Sequence, residues 1–160
     1  MELRERATGN IITDSQFRAL HPNTSFPATI NYDKWGYDVI FEGPQATGGD
    51  HYQYSMRSGV EQIEDKWYTK YVLGPIFRDT PEATAAEQEA AYKARLDTEQ
   101  GVRIRADRNT RLAACDWTQV ADAPFDDAGK AEWAAYRQAL RDVSSQEGFP
   151  WSVEWPEEPG

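Results

Sequence analysis

The chain is predicted to adopt an α+β fold: a small, mostly antiparallel β region followed by a helical hairpin and an extended aromatic C-terminal tail. Three observations predict it. Residues 1–78 are rich in Gly, Pro, Asn, Tyr and Trp and carry short runs with the alternation of strands. Residues 80–145 are rich in Ala, Glu, Gln and Arg, which favour helix. Phe149, Trp151, Val153 and Trp155 then alternate with Pro150, Ser152, Glu154 and Pro156, and that period of two gives an extended segment one apolar face. The compositional shift sets two expected domains, 1–78 and 79–160.

In the first part, Asn23–Pro27 reads as a loop and Tyr37–Phe41 as a strand closed by Glu42, Gly43 and Pro44. A Gly48-Gly49 turn precedes a second strand at Tyr52–Met56. Val60–Ile63 and Trp67–Val72 flank Glu64, Asp65 and Lys66 and read as a hairpin. Trp67, Thr69 and Tyr71 alternate with Tyr68, Lys70 and Val72, so both faces of this strand are partly apolar.

Helix is expected from Thr80, with Thr80 as cap, Pro81 at the first helical position and Glu82 at the positive end of the dipole. Tyr92 and Leu96 form an i,i+4 pair on it. Gly101 is expected to interrupt this helix, at about 1 kcal/mol against Ala, before it resumes to Ala114. Asp126 or Asp127 starts the next helix. On it Trp133, Tyr136, Leu140 and Val143 recur at steps of three, four and three, which makes one apolar stripe. Gly148 and Pro150 stop it, and the prolines of the tail bar it from a central strand position.

The 160 residues suffice for one medium domain or two small ones. With 27 acidic against 17 basic residues the net charge is −10, which disfavours nonspecific binding to nucleic acid or anionic membrane. Mean hydropathy is −0.78, yet six Trp, eight Tyr and six Phe supply the apolar area that argues against disorder. The single cysteine, Cys115, precludes an intramolecular disulfide and a Cys-based zinc site, and fits a reducing compartment. The start, Met1 to Arg6, is too charged for a signal peptide, and no apolar run approaches the ~20 residues of a membrane span. The expectation is a soluble cytoplasmic product, or a component of a particle assembled there.

Catalytic chemistry finds little to stand on. His21 and His51 lack a carboxylate or Cys at ligand spacing, as a metal site or general base would need. Cys115 reads as a small buried thiol. No phosphate-binding glycine loop or nucleophile elbow is present, and Gly48-Gly49-Asp50 is only a turn. The acidic pairs Asp126-Asp127 and Glu157-Glu158 lack the alternation of a calcium loop and read as solvated. Arg103, Arg105, Arg108 and Arg111 form the basic cluster. A nucleic-acid contact is one reading, but the acidity of the chain favours a solvated face paired with carboxylates. The reading is therefore a protein that is not an enzyme and takes no metal or cofactor. The aromatic strip from Phe149 to Trp155 either packs on the chain's own helix pair or grips a partner, and it can do both. Trp, Tyr and Arg are enriched at binding hot spots.

Three blocks in order carry a family resemblance: Arg108 to Pro124, with its Asp116-Trp117; Trp133 to Asp142, with Trp133, Tyr136 and Arg137; and Gly148 to Pro156, closing on Trp155-Pro156. Over roughly the last 50 residues the chain resembles the C-terminal domain of phage tail assembly chaperones. More distantly it is similar to the end of tail-fibre assembly proteins. Gly129, in the first turn of the last helix, departs from the stronger helix former usual there. The front, through Gly43-Pro44-Gln45, Gly59 to Gln62 and Lys66 to Tyr71, is similar to tail-fibre-related proteins of marine phages.

The resemblance implies a non-catalytic factor that helps fold, trimerise or cap a fibre, acting in the host cytoplasm during assembly. Its partner would be a tail-fibre or other tail protein, with no nucleic acid and no membrane. The alternative is a structural protein of the mature virion, a tail or fibre adaptor or tip, present there as a homo-oligomer. A small hydrolase acting through His21 or His51 is a third reading. For the shared module the resemblance implies Asp116, Trp117, Trp133, Tyr136, Arg137, Arg141, Trp151 and Trp155. The candidate partner-binding residues are Trp117, Trp133, Tyr136, Arg137, Arg141, Phe149, Trp151 and Trp155, most of which would also build the module's core.

Overall fold

A computed structural model describes residues 1–160, which divide into two compact units, Met1–Ile76 and Phe77–Gly160. The fold is α+β. The first unit holds five strands, β1 (Glu2–Glu5), β2 (Ile11–Thr13), β3 (Tyr37–Phe41), β4 (Tyr54–Ile63) and β5 (Lys66–Gly74), and one short helix, α1 (Asp14–Leu20). Their order in the sheet is β2-β1-β3-β5-β4. All pairs are antiparallel except β3 with β5, which meet in parallel at Ile40–Trp67 and Phe41–Tyr68.

The β4–β5 hairpin forms where the sequence places it, but the turn is tighter. Ile63 pairs with Lys66, so Glu64 and Asp65 alone turn the chain, with Glu64 at φ 53°. The register slips between Arg57 and Val60, a bulge that Gly59 accommodates at φ 93°.

The core of this unit is built around Phe17, the one fully buried residue of α1. Thr13 and Gln16 form a capping box at the start of that helix and fix its entry. The rings of Tyr32, Tyr37 and Trp35 meet Phe17 edge-on at 5.2, 5.2 and 5.7 Å, the geometry that the ring quadrupole favours. Leu3 and Ile30 complete the cluster, with Ile12, Phe26 and Val39 against it.

Elsewhere on the sheet, charge is laid over apolar surface. The Arg4 guanidinium lies 4.0 Å from the centre of the Trp67 ring, and Arg6 pairs with Asp38 at 2.7 Å. Arg57 reaches across to Glu2, donating at 2.8 Å.

The second unit holds α2 (Ala85–Ala114) and α3 (Asp127–Asp142), with single 3-10 turns at Asp116–Gln119 and Val143–Ser145. The N-cap of α2 is Thr84, not Thr80. Thr84 and Glu87 satisfy each other's backbone N–H groups in a capping box, and Thr80 instead bonds Ala83. Nor does Gly101 interrupt the helix, which runs unbroken for 30 residues. The cost of glycine there is met by a close approach described below. Asp126 caps α3, accepting from the Gly129 N–H at 2.8 Å. The expected stripe is buried as a whole: Trp133, Tyr136, Leu140 and Val143 all face inward.

The carboxyls of Glu2 and Asp14 are both held below the usual range. For Glu2 the cause is the bond from Arg57; for Asp14 it is the bond from the Tyr32 hydroxyl, then Arg18. A depressed native value means that the stabilisation is complete above the ordinary carboxylate pKa of about 4 and is lost as pH falls through the lower native value. The protection factors of β1 amides, exchange rates taken relative to the unstructured chain at the same pH, should therefore fall on acidification below about pH 4. In Arg57→Met that acid dependence should shrink, and an unchanged profile would remove Arg57 as its source.

Candidate functional site

In the second unit the end of α2, the loop 115–126, the face of α3 and the C-terminal tail converge on one aromatic cluster. Cys115, Trp133, Tyr136 and Leu140 are its buried members, with Leu112, Phe125 and Trp155 packed on them. The last carbonyls of a helix have no partner within it. Here α3 supplies one. Arg137, only 8% exposed, donates from Nη1 to the Leu112 carbonyl at 2.9 Å and to Cys115 Sγ at 3.0 Å, and from Nη2 to Asp116 Oδ1 at 2.7 Å. Burial works against its charge, but Asp116 and Cys115 outweigh that and its pKa is raised. The Nε of the same group is buried without a partner.

The tail differs in detail from a straight alternating strip. After the turn at Val143–Ser145 the chain turns again over residues 147–151, and runs without regular structure from Val153. The Gln146 side chain clips this loop shut by bonding both the N–H and the carbonyl of Glu154, each at 2.8 Å.

Each aromatic of the tail then finds its own seat on α2. Phe149 lies over Gly101, where an added Cβ would sit 3.3 Å from its ring, with the Arg105 guanidinium 5.0 Å from the ring centre. The Trp151 indole N–H donates to Asp97 at 2.6 Å. Trp155 is covered by Arg111 at 4.3 Å and rests on the core cluster. Gly101 thus serves close approach of a tail ring to helix backbone, which no sequence periodicity shows.

The candidate binding residues fall into three groups. Trp133, Tyr136 and Arg137 are buried and build the unit. Phe149, Trp151 and Trp155 are half-buried on α2, and Arg141 is exposed beside Gln138. Trp117 stands apart. It is 51% exposed while its ring keeps contact with Phe125 at 5.5 Å and Trp133 at 6.0 Å. Val120, also 51% exposed, lies in the same loop. Val120 and Phe125 join the candidates only in the structure; their signal in the sequence is two apolar side chains in a loop otherwise rich in Asp and Ala.

The chemistry-bearing residues of the first unit are absorbed into packing and ion pairs. His21 lies 4.6 Å from Trp35 and 4.9 Å from Phe17, inside the aromatic cluster. His51 packs on Tyr52 at 4.1 Å. An open cleft of about 450 Å³ is lined by Arg6, Asp33, Asp38, Lys66 and Trp67 among others, but its guanidinium and two of its carboxylates pair with each other. No group of three His, Cys, Asp or Glu is placed to hold a metal ion. No helix is long and apolar enough to cross a membrane.

Comparison with known proteins agrees with the resemblance of the C-terminal blocks. Residues 101–160 match the family model described as phage tail assembly chaperone protein. The match begins inside α2 and takes in the buried cluster, the Trp117 loop and the whole tail. It supports a role in phage tail assembly. No curated protein and no solved structure matches the chain.

Substitutions at Arg137, Asp116 and Gly101 test this architecture by thermal and denaturant unfolding. Arg137→Met takes the shortest bond, 2.9 Å, from the Leu112 carbonyl, which keeps only the 3.3 Å bonds from Cys115, takes the partner from Asp116, and should cost the second unit about 2 kcal/mol, whereas Asp116→Asn, at an exposed carboxylate, should cost less than about 1. Equal costs would mean that the ion pair, not the helix end, is what Arg137 serves. Gly101→Leu should expel Phe149 and destabilise by about 1–3 kcal/mol. Gly101→Ala should be close to neutral, since about 1 kcal/mol of helix propensity is set against a tight Cβ contact.

Proposed function

We propose that this chain is a non-catalytic tail-fibre assembly factor that binds the fibre protein and assists its folding, trimerisation or capping. The single observation that carries the proposal is the match of residues 101–160 to the tail assembly chaperone family, over a unit whose buried residues are spent on its own closure and whose Trp117 is left outside. The mechanism is shielding: the unit covers apolar fibre surface in the host cell until trimerisation buries it. In that reading Trp117 and Arg141 meet the client directly. Phe149, Trp151 and Trp155 offer their outer faces, and Trp133, Tyr136 and Arg137 act by holding the surface in shape. Burial of apolar area drives such an association, and exposed Trp and Arg are the residue types that anchor it.

A second reading, a structural component of the tail, is favoured by one observation in the first unit. Strand β5 is half-buried along most of its length on both faces, as suits a sheet finished by a neighbour.

Co-expression with the fibre protein of the same phage separates these readings, joined to quantitative mass spectrometry of purified particles. The assembly factor should raise the yield of soluble fibre trimer and be absent or substoichiometric in particles. A fixed copy number that is a multiple of three or six would favour the structural reading. A fibre yield unchanged by the chain would overturn the assembly role.

A further inference from the structure

The loop between α2 and α3 combines exposed apolar side chains with several carboxylates. Trp117 and Val120 are each about half exposed, and Phe125 continues the same aromatic surface towards Trp133. The same loop and the first residues of α3 carry Asp116, paired with Arg137 yet 67% exposed at its side chain, Asp126, which caps α3, and the exposed Asp122 and Asp127. One cation, Lys130, lies at the edge, beside a shallow recess lined by Thr118, Gln119, Val120 and Ala121. The surface is thus an apolar centre within an anionic rim. Apolar centres supply affinity, while rim charges select the partner and set the association rate.

We infer that this surface docks a segment of a partner polypeptide that presents an apolar or aromatic side chain flanked by lysine or arginine. The inference rests on the proposed function and names the chemistry of the client at that site. Charge complementarity carries it. Asp116 is already met by Arg137 and Asp126 by the Gly129 N–H, so a cationic flank would answer Asp122 and Asp127, and an acidic segment would be repelled. A second copy of a chain with net charge −10 is disfavoured for the same reason. The chain's own tail is no candidate, because Phe149, Trp151 and Trp155 are seated on α2.

The test titrates the full chain with three synthetic 12-residue peptides that share a Trp-Leu centre flanked by Lys, by Ser or by Glu. The Trp117 indole N–H is followed by nuclear magnetic resonance. The Lys peptide should shift Trp117 and Val120 and bind about tenfold tighter than the Ser peptide, with that advantage fading as salt shortens the Debye length below about 8 Å. Asp122→Asn with Asp127→Asn should remove most of the advantage, and in Trp117→Ser the shift of the Val120 amide should be lost. Equal binding of the Lys and Ser peptides would overturn the inference. So would shifts confined to other residues, or self-association of the chain that Trp117→Ser dissolves, which would make this face an interface between copies.

Fibre co-expression keeps the two claims apart. If Trp117→Ser raises fibre yield as well as the wild type does, this surface is wrong and the assembly role stands. If the wild type gives no increase, the assembly role fails, while the titration still decides the chemistry of the surface.

Discussion

A long helix ends on carbonyls that its own ladder cannot satisfy, and in the second unit the following helix adds a charged donor to one of them, beside the cap bonds from Cys115. The Arg137 fork reaches the Leu112 carbonyl, the Cys115 sulfur and the Asp116 carboxylate from one buried position. This constraint sets the rest. With Arg137 committed, Trp133 and Tyr136, which lie a turn before it or beside it on α3, face the end of α2, and the loop between the helices must leave along the surface. Trp117 is carried outward by that loop. A guanidinium can do this where an ammonium cannot, because its donors lie in one plane at fixed angles.

The first unit reaches its order by a different route. There a single aromatic, Phe17, is met edge-on by three others, and ring geometry does the work that hydrogen bonds do in the second unit. Its charged groups stay at the periphery, over Trp67 or across from Glu2. The two units therefore differ in what can break them. One depends on volume and ring placement, the other on a buried polar group whose loss exposes several unmet partners at once.

The parts of the fold that the sequence displayed are those with long or repeated patterns. The stripe Trp133, Tyr136, Leu140, Val143 is legible because α3 buries one face and has 16 residues in which to repeat it. The β4–β5 hairpin is legible from alternation on either side of a polar turn. Strand β1 has four residues, of which only Leu3 is buried, and α1 has seven, of which only Phe17 is buried. One buried residue makes no period, so neither element shows. The shift of the cap from Thr80 to Thr84 turns on Glu87, three residues beyond Thr84 and so placed to complete a capping box. Of the candidate site, the identities of the aromatics were readable, but their division into buried and exposed was not. That division depends on where the loop 115–126 carries Trp117 relative to Trp133.

Three seats for tail side chains are spread along α2 from Asp97 to Arg111, a span of about 20 Å at the rise of an α-helix. Between them the tail is joined to the unit by side chains and by the Gln146 clip, rather than by a ladder of main-chain bonds. The Trp155 seat at Arg111 lies about 15 Å along α2 from the Phe149 seat at Gly101 and behaves as a nearly independent term, whereas the Phe149 and Trp151 seats are one turn apart and act together. The segment should accordingly come away in two stages, the Trp155 end apart from the Phe149 and Trp151 pair, with partly detached forms populated before the helices part. Opening of this kind is graded rather than cooperative, and the first ring to lift determines how much fresh apolar surface is shown.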